Sequence, residues 1–350
     1  MRWRGAGMAE GALRQSRDEA IAAFIAATGR AGARRVALAG DASMRRYERI
    51  HAGGQTAILM DAPPGSGEDV GPFVAIARHL RAIGLSAPEI LAEDRGGGLL
   101  MLEDLGDDLY ARILAAGTMA EAPIYGPAID VLAHLQAAAA PPGLPDWGVV
   151  EMSRASCLAV EWYARAAGAA QDPAPLGRAV AEALAAVAEP RPVVVLRDYH
   201  AENLIWLPGR EGLARVGLLD FQNAEMGQAG YDLVSLVQDA RRDVAPETAA
   251  AMVLRFAAAT GREHGALLRA CAALGAQRAL RIIGVFARLW LRDGKPGYLR
   301  LIPRVWGQLQ RNLTEPELGP LARVVAATLP EPSDAVLSAI RDRCTPAPPR

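Results

Sequence analysis

Two short apolar runs near the middle of the chain each lead into an aspartate, and no other feature restricts the fold as much. The first, Val193-Val194-Val195-Leu196, leads directly into Arg197-Asp198-Tyr199-His200-Ala201-Glu202-Asn203. The second, Val216 to Leu219, closes on Asp220-Phe221-Gln222. Short apolar runs bounded by polar turns read as buried strands. An Asp-x4-Asn step on a tight loop lets Asp198 and Asn203 converge from opposite ends of one turn, and a short hairpin returns Asp220 to the same place. Phosphoryl transfer needs three groups of this kind: a carboxylate that takes the proton of the acceptor hydroxyl, a neutral amide ligand for Mg²⁺ and a carboxylate ligand for the same ion. Asp198 is the expected base, and Asn203 and Asp220 are the expected metal ligands. A small set of oxygen donors suits Mg²⁺, with ATP phosphates and waters completing the octahedron.

Residues 193 to 243 resemble the aminoglycoside phosphotransferase family, the small-molecule branch of the protein-kinase-like fold. That family's catalytic loop reads His-Gly-Asp-x-His-x-x-Asn, and its metal strand ends in Asp-Phe or Asp-Trp. Leu196-Arg197 stands here in place of His-Gly, while Asp198, His200, Asn203 and Asp220 keep their places. Gly230-Tyr231-Asp232-Leu233-Val234 resembles the family's helix start, whose Asp braces the catalytic loop. With Tyr231-Asp232-Leu233-Val234-Ser235-Leu236 and Gln238-Asp239-Ala240-Arg241-Arg242-Asp243, the motifs are similar to those of bacterial anomeric kinases of N-acetylmuramate and N-acetylglucosamine, which act in peptidoglycan recycling. The resemblance implies ATP and Mg²⁺ as cofactors and a small sugar as acceptor, phosphorylated at its anomeric hydroxyl to the sugar 1-phosphate. It also implies an α+β, protein-kinase-like bilobal fold, with a small β-rich N-terminal lobe (1–103) and a larger, mainly helical C-terminal lobe (104–350).

The pattern outside the motifs agrees with that division. A helix-like segment from Gly11 to Thr28 precedes short β-rich runs at Arg35–Ala39, Arg46–Ile50 and Thr56–Met60. A helix follows, with Phe73, Ile76, Ala77, Leu80 and Ile83 on one stripe, and then strands near Glu89–Ala92 and Leu99–Leu102. Such folds hold adenine by main-chain hydrogen bonds where the edge strand gives way to helix. That places the hinge at Met101 to Leu105, with Glu103 and Leu105 beside the nucleotide. From there on helices dominate, including one predicted over Ser153–Ala167 and another over Glu263–Arg292.

Composition narrows the function classes. The chain has 350 residues and a net charge of -1, which gives no electrostatic case for nucleic acid or an anionic membrane. No uninterrupted apolar run approaches the ~20 residues that span a bilayer. Three cysteines, far apart in sequence, fit reduced thiols better than a disulfide framework. A cytoplasmic, monomeric enzyme is the expectation.

The phosphate grip departs from the family. The chain's single lysine is Lys295, so the strand lysine that holds the α- and β-phosphates is absent, and Met60 or Asp61 stands in its place. No Glu lies within Phe73–Ile83 to pair with such a lysine. The turn Gly40-Asp41-Ala42-Ser43 and the following Arg45 and Arg46 offer a hydroxyl and two guanidiniums as phosphate donors. Strand alternation sends one of Arg45 and Arg46 toward the cleft, and Arg46 is the first choice. His200 is expected to hold the loop and Asp232 to support it structurally. Glu202 either tunes the metal or touches substrate. Arg241 and Arg242 are either a clamp for an acceptor carboxylate or a surface ion-pair cluster. Arg281, Arg288 and Arg292 share a helical face that reads as solvated. Two rival readings are a kinase of aminoglycosides, choline-like alcohols or other small hydroxyl compounds, and a nucleotide-binding pseudokinase.

Overall fold

The computed structural model describes residues 5–38, 45–169, 171–295 and 297–344, with side chains from residue 16 onward. In chain order the elements begin with α1 (Gly5–Ala27), β1 (Arg34–Ala37), β2 (Arg46–Ala52), β3 (Gln55–Asp61), α2 (Gly71–Ala82), β4 (Ile90–Asp94) and β5 (Leu99–Glu103). Next come α3 (Tyr110–Ala115), α4 (Glu121–Ala137), α5 (Val149–Ser156), a π-helical turn (Ala159–Ala164), α6 (Ala174–Ala185), β6 (Val193–Val195), β7 (Leu204–Trp206), β8 (Val216–Leu218) and β9 (Glu225–Gly227). The chain closes with α7 (Gly230–Val237), α8 (Pro246–Thr260), α9 (His264–Asp293), α10 (Ile302–Asn312), α11 (Gly319–Thr328) and α12 (Asp334–Arg341). The class is α+β, as the sequence predicts. The Gly40 turn, including Ser43, lies outside the described residues.

Contacts divide the chain into two compact units, residues 1–108 with 205–223, and residues 109–204 with 224–350. A boundary at residue 103 assigns 205–223 to the second part, whereas in the structure this segment packs with the first. Leu218 donates its N–H to the Ser86 carbonyl at 2.9 Å. The Ser86 hydroxyl donates to the Ala214 carbonyl at 2.7 Å, and Arg210 pairs with Glu103. Gly217 makes this docking possible, since a Cβ there would lie 3.1 Å from both Leu105 and Ile205.

The first unit is built on an antiparallel sheet in the order β1-β2-β3-β5-β4. Alternation along the strands splits its faces. Ile50, Ala57, Leu59, Leu99 and Met101 pack against Ile21 and Ile25 of α1 in one apolar core. Asp61 lies on the same face, where Arg17 of α1 (3.0 Å) and Arg46 (3.1 Å) hold its carboxylate. Tyr47 and Met60 oppose each other in the β2–β3 register and therefore share the other face. α2 starts at a favoured N-terminal proline, Pro72, and buries Phe73, Ile76, Ala77 and Leu80 of the predicted stripe.

The second unit is a helical body around α9. By length and composition α9 could cross a membrane, but 83% of its most apolar window is buried inside the protein. The helix predicted over Ser153–Ala167 is interrupted. α5 ends at Ser156 and a π-helical turn follows, and α9 crosses this segment closely. At Gly284 a Cβ would lie 2.2 Å from the Leu158 carbonyl carbon. Beneath Gly275, Gln238 and Asn312 exchange two amide hydrogen bonds of 2.9 Å each.

Candidate active site

In the second unit, β6 pairs antiparallel with β9 and delivers the chain to Asp198. Tyr199 is buried and donates its hydroxyl to the Ala128 carbonyl of α4 at 2.8 Å. The Ala201 carbonyl accepts from Ala111 of α3 at 3.0 Å. The loop is thus fixed on both sides. Asn203 donates its amide to the Asp198 carbonyl at 2.9 Å, closing the Asp-x4-Asn turn and leaving the amide oxygen as the atom suited to a cation.

Asp232 of α7 is fully buried and accepts the N–H groups of Leu196 (2.6 Å) and Arg197 (2.9 Å). The loop needs this brace because Arg197 is left-handed, with φ of 70°. Among the described residues only Arg197 and Asp220 (φ 54°) adopt this conformation without being glycine, at about 1–2 kcal/mol each. Glycine, which the resembled family's motif carries at this position, adopts such a φ without strain. Here the arginine side chain offsets the strain, lying 3.9 Å over the Trp147 ring and pairing with Glu225 at 2.8 Å.

His200 is buried, and its Nε2 lies 3.4 Å from both the Asn203 amide nitrogen and an Arg241 Nη. Both neighbours only donate, so Nε2 is the acceptor and the proton sits on Nδ1. Burial, the largest cause, pushes the His200 pKa down to about 4. Its ring ties Asn203 of the loop to Arg241 of the segment after α7. Arg241 pairs with Glu202 at 2.7 Å and donates its backbone N–H to Asp239 at 2.8 Å. Arg242 is engaged by Glu121 (3.2 Å) and the buried Tyr125 hydroxyl. The two arginines therefore diverge, and Arg242 anchors α4 rather than forming a clamp with Arg241.

Burial raises the Asp232 pKa to about 7, against the opposing effect of its two N–H bonds. The folded protein keeps this proton where the unfolded chain, at about 3.8, has lost it. Asp232 therefore contributes stability below pH ~4 that disappears as pH rises through 7. His200 has the opposite sign, contributing stability above its unfolded value near 6.5 that is lost as pH falls toward 4. Relative to the parent, Asp232→Asn should make stability rise more steeply from pH 4.5 to 6.5, and His200→Gln should make it rise less steeply. Urea midpoints measured across this range decide it, and slope changes of the same sign in both variants would contradict the assignment.

In the first unit, Asp220 follows β8 and is exposed, and the Gln222 amide donates to it at 2.6 Å. Phe221 is buried against Phe73 of α2, with ring centroids 4.9 Å apart. Arg45 is buried and pairs with Glu68 at 2.9 Å, just ahead of α2. Tyr47 lies on the same side of the strand. Its pKa is pushed up to about 12, first by burial, with the charges of Asp220 and Glu68 adding and Arg45 opposing. Arg45 is thus the arginine on the Asp220 side, whereas Arg46 faces α1 and is held by Asp61. Met60, at the place of the absent lysine, is fully buried. Glu103 donates its N–H to the Glu89 carbonyl at 2.8 Å and spends its carboxylate on Arg210 and Arg81. Leu105 is buried on Gly217.

Several residues near the loop were not singled out by the sequence. Trp147 is buried beside Tyr231, with ring centroids 6.0 Å apart, and Arg281 lies over the indole at 5.7 Å. Arg281 is half-buried and is not part of a solvated face. Arg278, one turn earlier on α9, is buried and donates to the Gln238 carbonyl at 3.1 Å. No local pattern marks Trp147 or Glu225. For Arg197, the family's glycine was the available signal.

A model of the family described as "Phosphotransferase enzyme family" matches residues 34–274. An N-acetylmuramate/N-acetylglucosamine kinase of Caulobacter vibrioides is 42% identical over 348 residues, covering 88% of this chain and 96% of the relative. The protein of the same name from Pseudomonas aeruginosa is 36% identical over 308 residues, covering 84% and 88%. Among solved structures, a choline kinase from Streptococcus pneumoniae superposes with a TM-score of 0.61 at 14% identity, covering 86% of this chain and 98% of that one. A Plasmodium vivax ethanolamine kinase gives 0.58 at 11% identity, covering 82% and 83%. These structural likenesses show a shared kinase-like fold.

Proposed function

Because this chain belongs to the phosphotransferase enzyme family, we propose that it transfers the γ-phosphoryl group of ATP to the anomeric hydroxyl of N-acetylmuramate or N-acetylglucosamine, giving the sugar 1-phosphate. The observation that carries the reading is the 42% identity, across nearly the whole length of both chains, to a kinase named for these two sugars. Asp198 accepts a hydrogen bond from the anomeric hydroxyl and takes its proton as the new O–P bond forms and the bond to the ADP leaving group breaks. An anomeric hydroxyl is more acidic than the other sugar hydroxyls, so a carboxylate base suffices. Asn203 and Asp220 are the proposed Mg²⁺ ligands. Their chemistry fits, since one offers an amide oxygen whose nitrogen is already engaged and the other an exposed carboxylate. When bound, Mg²⁺ offsets the charge on the phosphates. Glu103 and Leu105 remain the proposed adenine contacts, through their backbone. The enzyme is proposed to be a cytoplasmic monomer in peptidoglycan recycling.

Arg45 takes over the phosphate grip in this reading. The lysine–glutamate pair of related kinases is replaced by Arg45–Glu68, with the cation moved to the start of β2 and the carboxylate to the approach to α2. A charge-assisted hydrogen bond contributes roughly 1.5–3 kcal/mol. Arg45→Ala should therefore raise the KM for ATP about tenfold to a hundredfold, and Arg46→Ala, whose partner is Asp61, should change it far less. The reverse order would return the grip to Arg46.

The test of function is ATP consumption with Mg²⁺ over a panel of N-acetylmuramate, N-acetylglucosamine, choline, ethanolamine and an aminoglycoside. Turnover confined to the last three would overturn the amino-sugar reading. ATP binding with no turnover on any acceptor would favour a pseudokinase.

A further inference from the structure

We propose that Arg281 binds the carboxylate of an anionic acceptor sugar, and so sets the preference for N-acetylmuramate over N-acetylglucosamine. The inference rests on the amino-sugar reading above, and it concerns only the second unit.

The two sugars differ in one group. N-acetylmuramate carries a lactyl ether on O3, two ring carbons from the reacting anomeric centre, and that ether ends in a carboxylate. When the anomeric hydroxyl sits on Asp198, the carboxylate lies no further from it than the span of the sugar ring and its ether. That neighbourhood holds charges of both signs, with Asp198, Glu225, Asp239 and Asp146 set among several arginines. Which cation meets an incoming carboxylate there depends on which arginine is not already held in an ion pair.

The other arginines of the neighbourhood have structural partners that account for them. Arg197 pairs with Glu225 while stacked on Trp147. Arg241 pairs with Glu202 and leans on His200. Arg242 holds Glu121 and Tyr125. Arg278 is sunk into the body, bonded to the Gln238 carbonyl.

Arg281 bonds to the Tyr231 side chain but has no ion pair among the described residues. Its guanidinium lies over the Trp147 indole, which Arg197 also covers, so two cations share one aromatic ring beside one glutamate. Burial works against its charge, but Tyr231, Asp198 and Glu225 together outweigh burial and hold its pKa above the ordinary value. Arg281 thus stands on the same indole as Arg197, the residue directly before the proposed base. Its backbone is also rigid, because less than a turn further along α9 Gly284 presses against Leu158. A planar guanidinium on a fixed helix, supported by an aromatic face, suits bidentate recognition of a carboxylate.

The experiment compares the parent, Arg281→Met and Arg281→Lys, each with Mg·ATP and both sugars, alongside thermal unfolding of each protein. Arg281→Met should raise the KM for N-acetylmuramate roughly tenfold to a hundredfold with little change in kcat, and should move the KM for N-acetylglucosamine less than about threefold. Arg281→Lys keeps the charge but loses the fork, so its preference should fall between the two. Equal losses on both sugars, or an unchanged preference, would overturn the proposal. If Arg281→Met does not fold, the lysine variant decides alone, and a preference equal to the parent's overturns it. A parent protein that phosphorylates neither sugar overturns the amino-sugar reading itself, and is distinguishable because no variant is needed to see it.

Discussion

Asp198→Asn is expected to fold like the parent and to bind Mg·ATP with similar affinity, while sugar phosphorylation falls on the order of 10²–10⁴-fold. The substitution keeps the shape of the side chain and removes its capacity to take a proton. The loop should keep its position, because it is held by the Asp232 bonds to Leu196 and Arg197, by the Tyr199 hydroxyl on α4 and by the Asn203 amide on the Asp198 backbone carbonyl. None of these uses the Asp198 side chain. The loss should therefore appear in kcat, with the KM for ATP nearly unchanged. Turnover within threefold of the parent would remove Asp198 from the role of base.

The largest expected effect on stability is at Gly284. Replacing it with alanine gains roughly 0.8–1 kcal/mol of helix propensity, which favours the variant if α9 stood alone. The contact reverses the sign, since the added carbon would lie 2.2 Å from the Leu158 carbonyl carbon and 2.5 Å from its oxygen. Backbone cannot move aside as a side chain can, so α9 and the π-helical turn must separate along a packed interface. A net cost of about 3 kcal/mol is expected, at the upper end of typical overpacking, lowering the thermal midpoint by roughly 6–12 °C. Gly209→Ala, where nothing lies within 4 Å of the added carbon, serves as the control. A Gly284→Ala midpoint equal to that of the control would mean the close crossing does not exist in solution.

What was legible in the sequence had local causes. The strand-to-aspartate steps are written in a few consecutive residues, so β6, β8, Asp198 and Asp220 could be placed from pattern alone. The α2 stripe follows from its period, and the Asp232 brace from the resemblance. What was hidden depended on partners distant in sequence. Alternation shows that Arg45 and Arg46 face opposite ways, but which one faces Asp220 depends on the face that α1 covers, through Ile21, Ile25 and Arg17. The Arg45–Glu68 pair joins two loops that carry no periodic signal. Arg281, Arg288 and Arg292 lie on one helical face in any reading, but Trp147, far away in sequence, covers only the first. The close packing of the π-helical turn depends on Gly284, more than a hundred residues downstream.

The joining of 205–223 to the first unit has a consequence for how this protein is made. When the ribosome has synthesised Asp108, the five-stranded sheet and α2 are complete, yet Ser86, Leu105 and Phe73 still lack Leu218, Gly217 and Phe221. Those partners emerge only after the whole of 109–204 has followed. At roughly 5–20 residues per second, the sheet waits on the order of ten seconds with apolar surface uncovered. During that interval α3, α4 and α5 are already leaving the tunnel. The nascent chain is therefore exposed to chaperones and proteases through its first hundred residues, and a fragment ending at residue 108 should retain that exposure permanently.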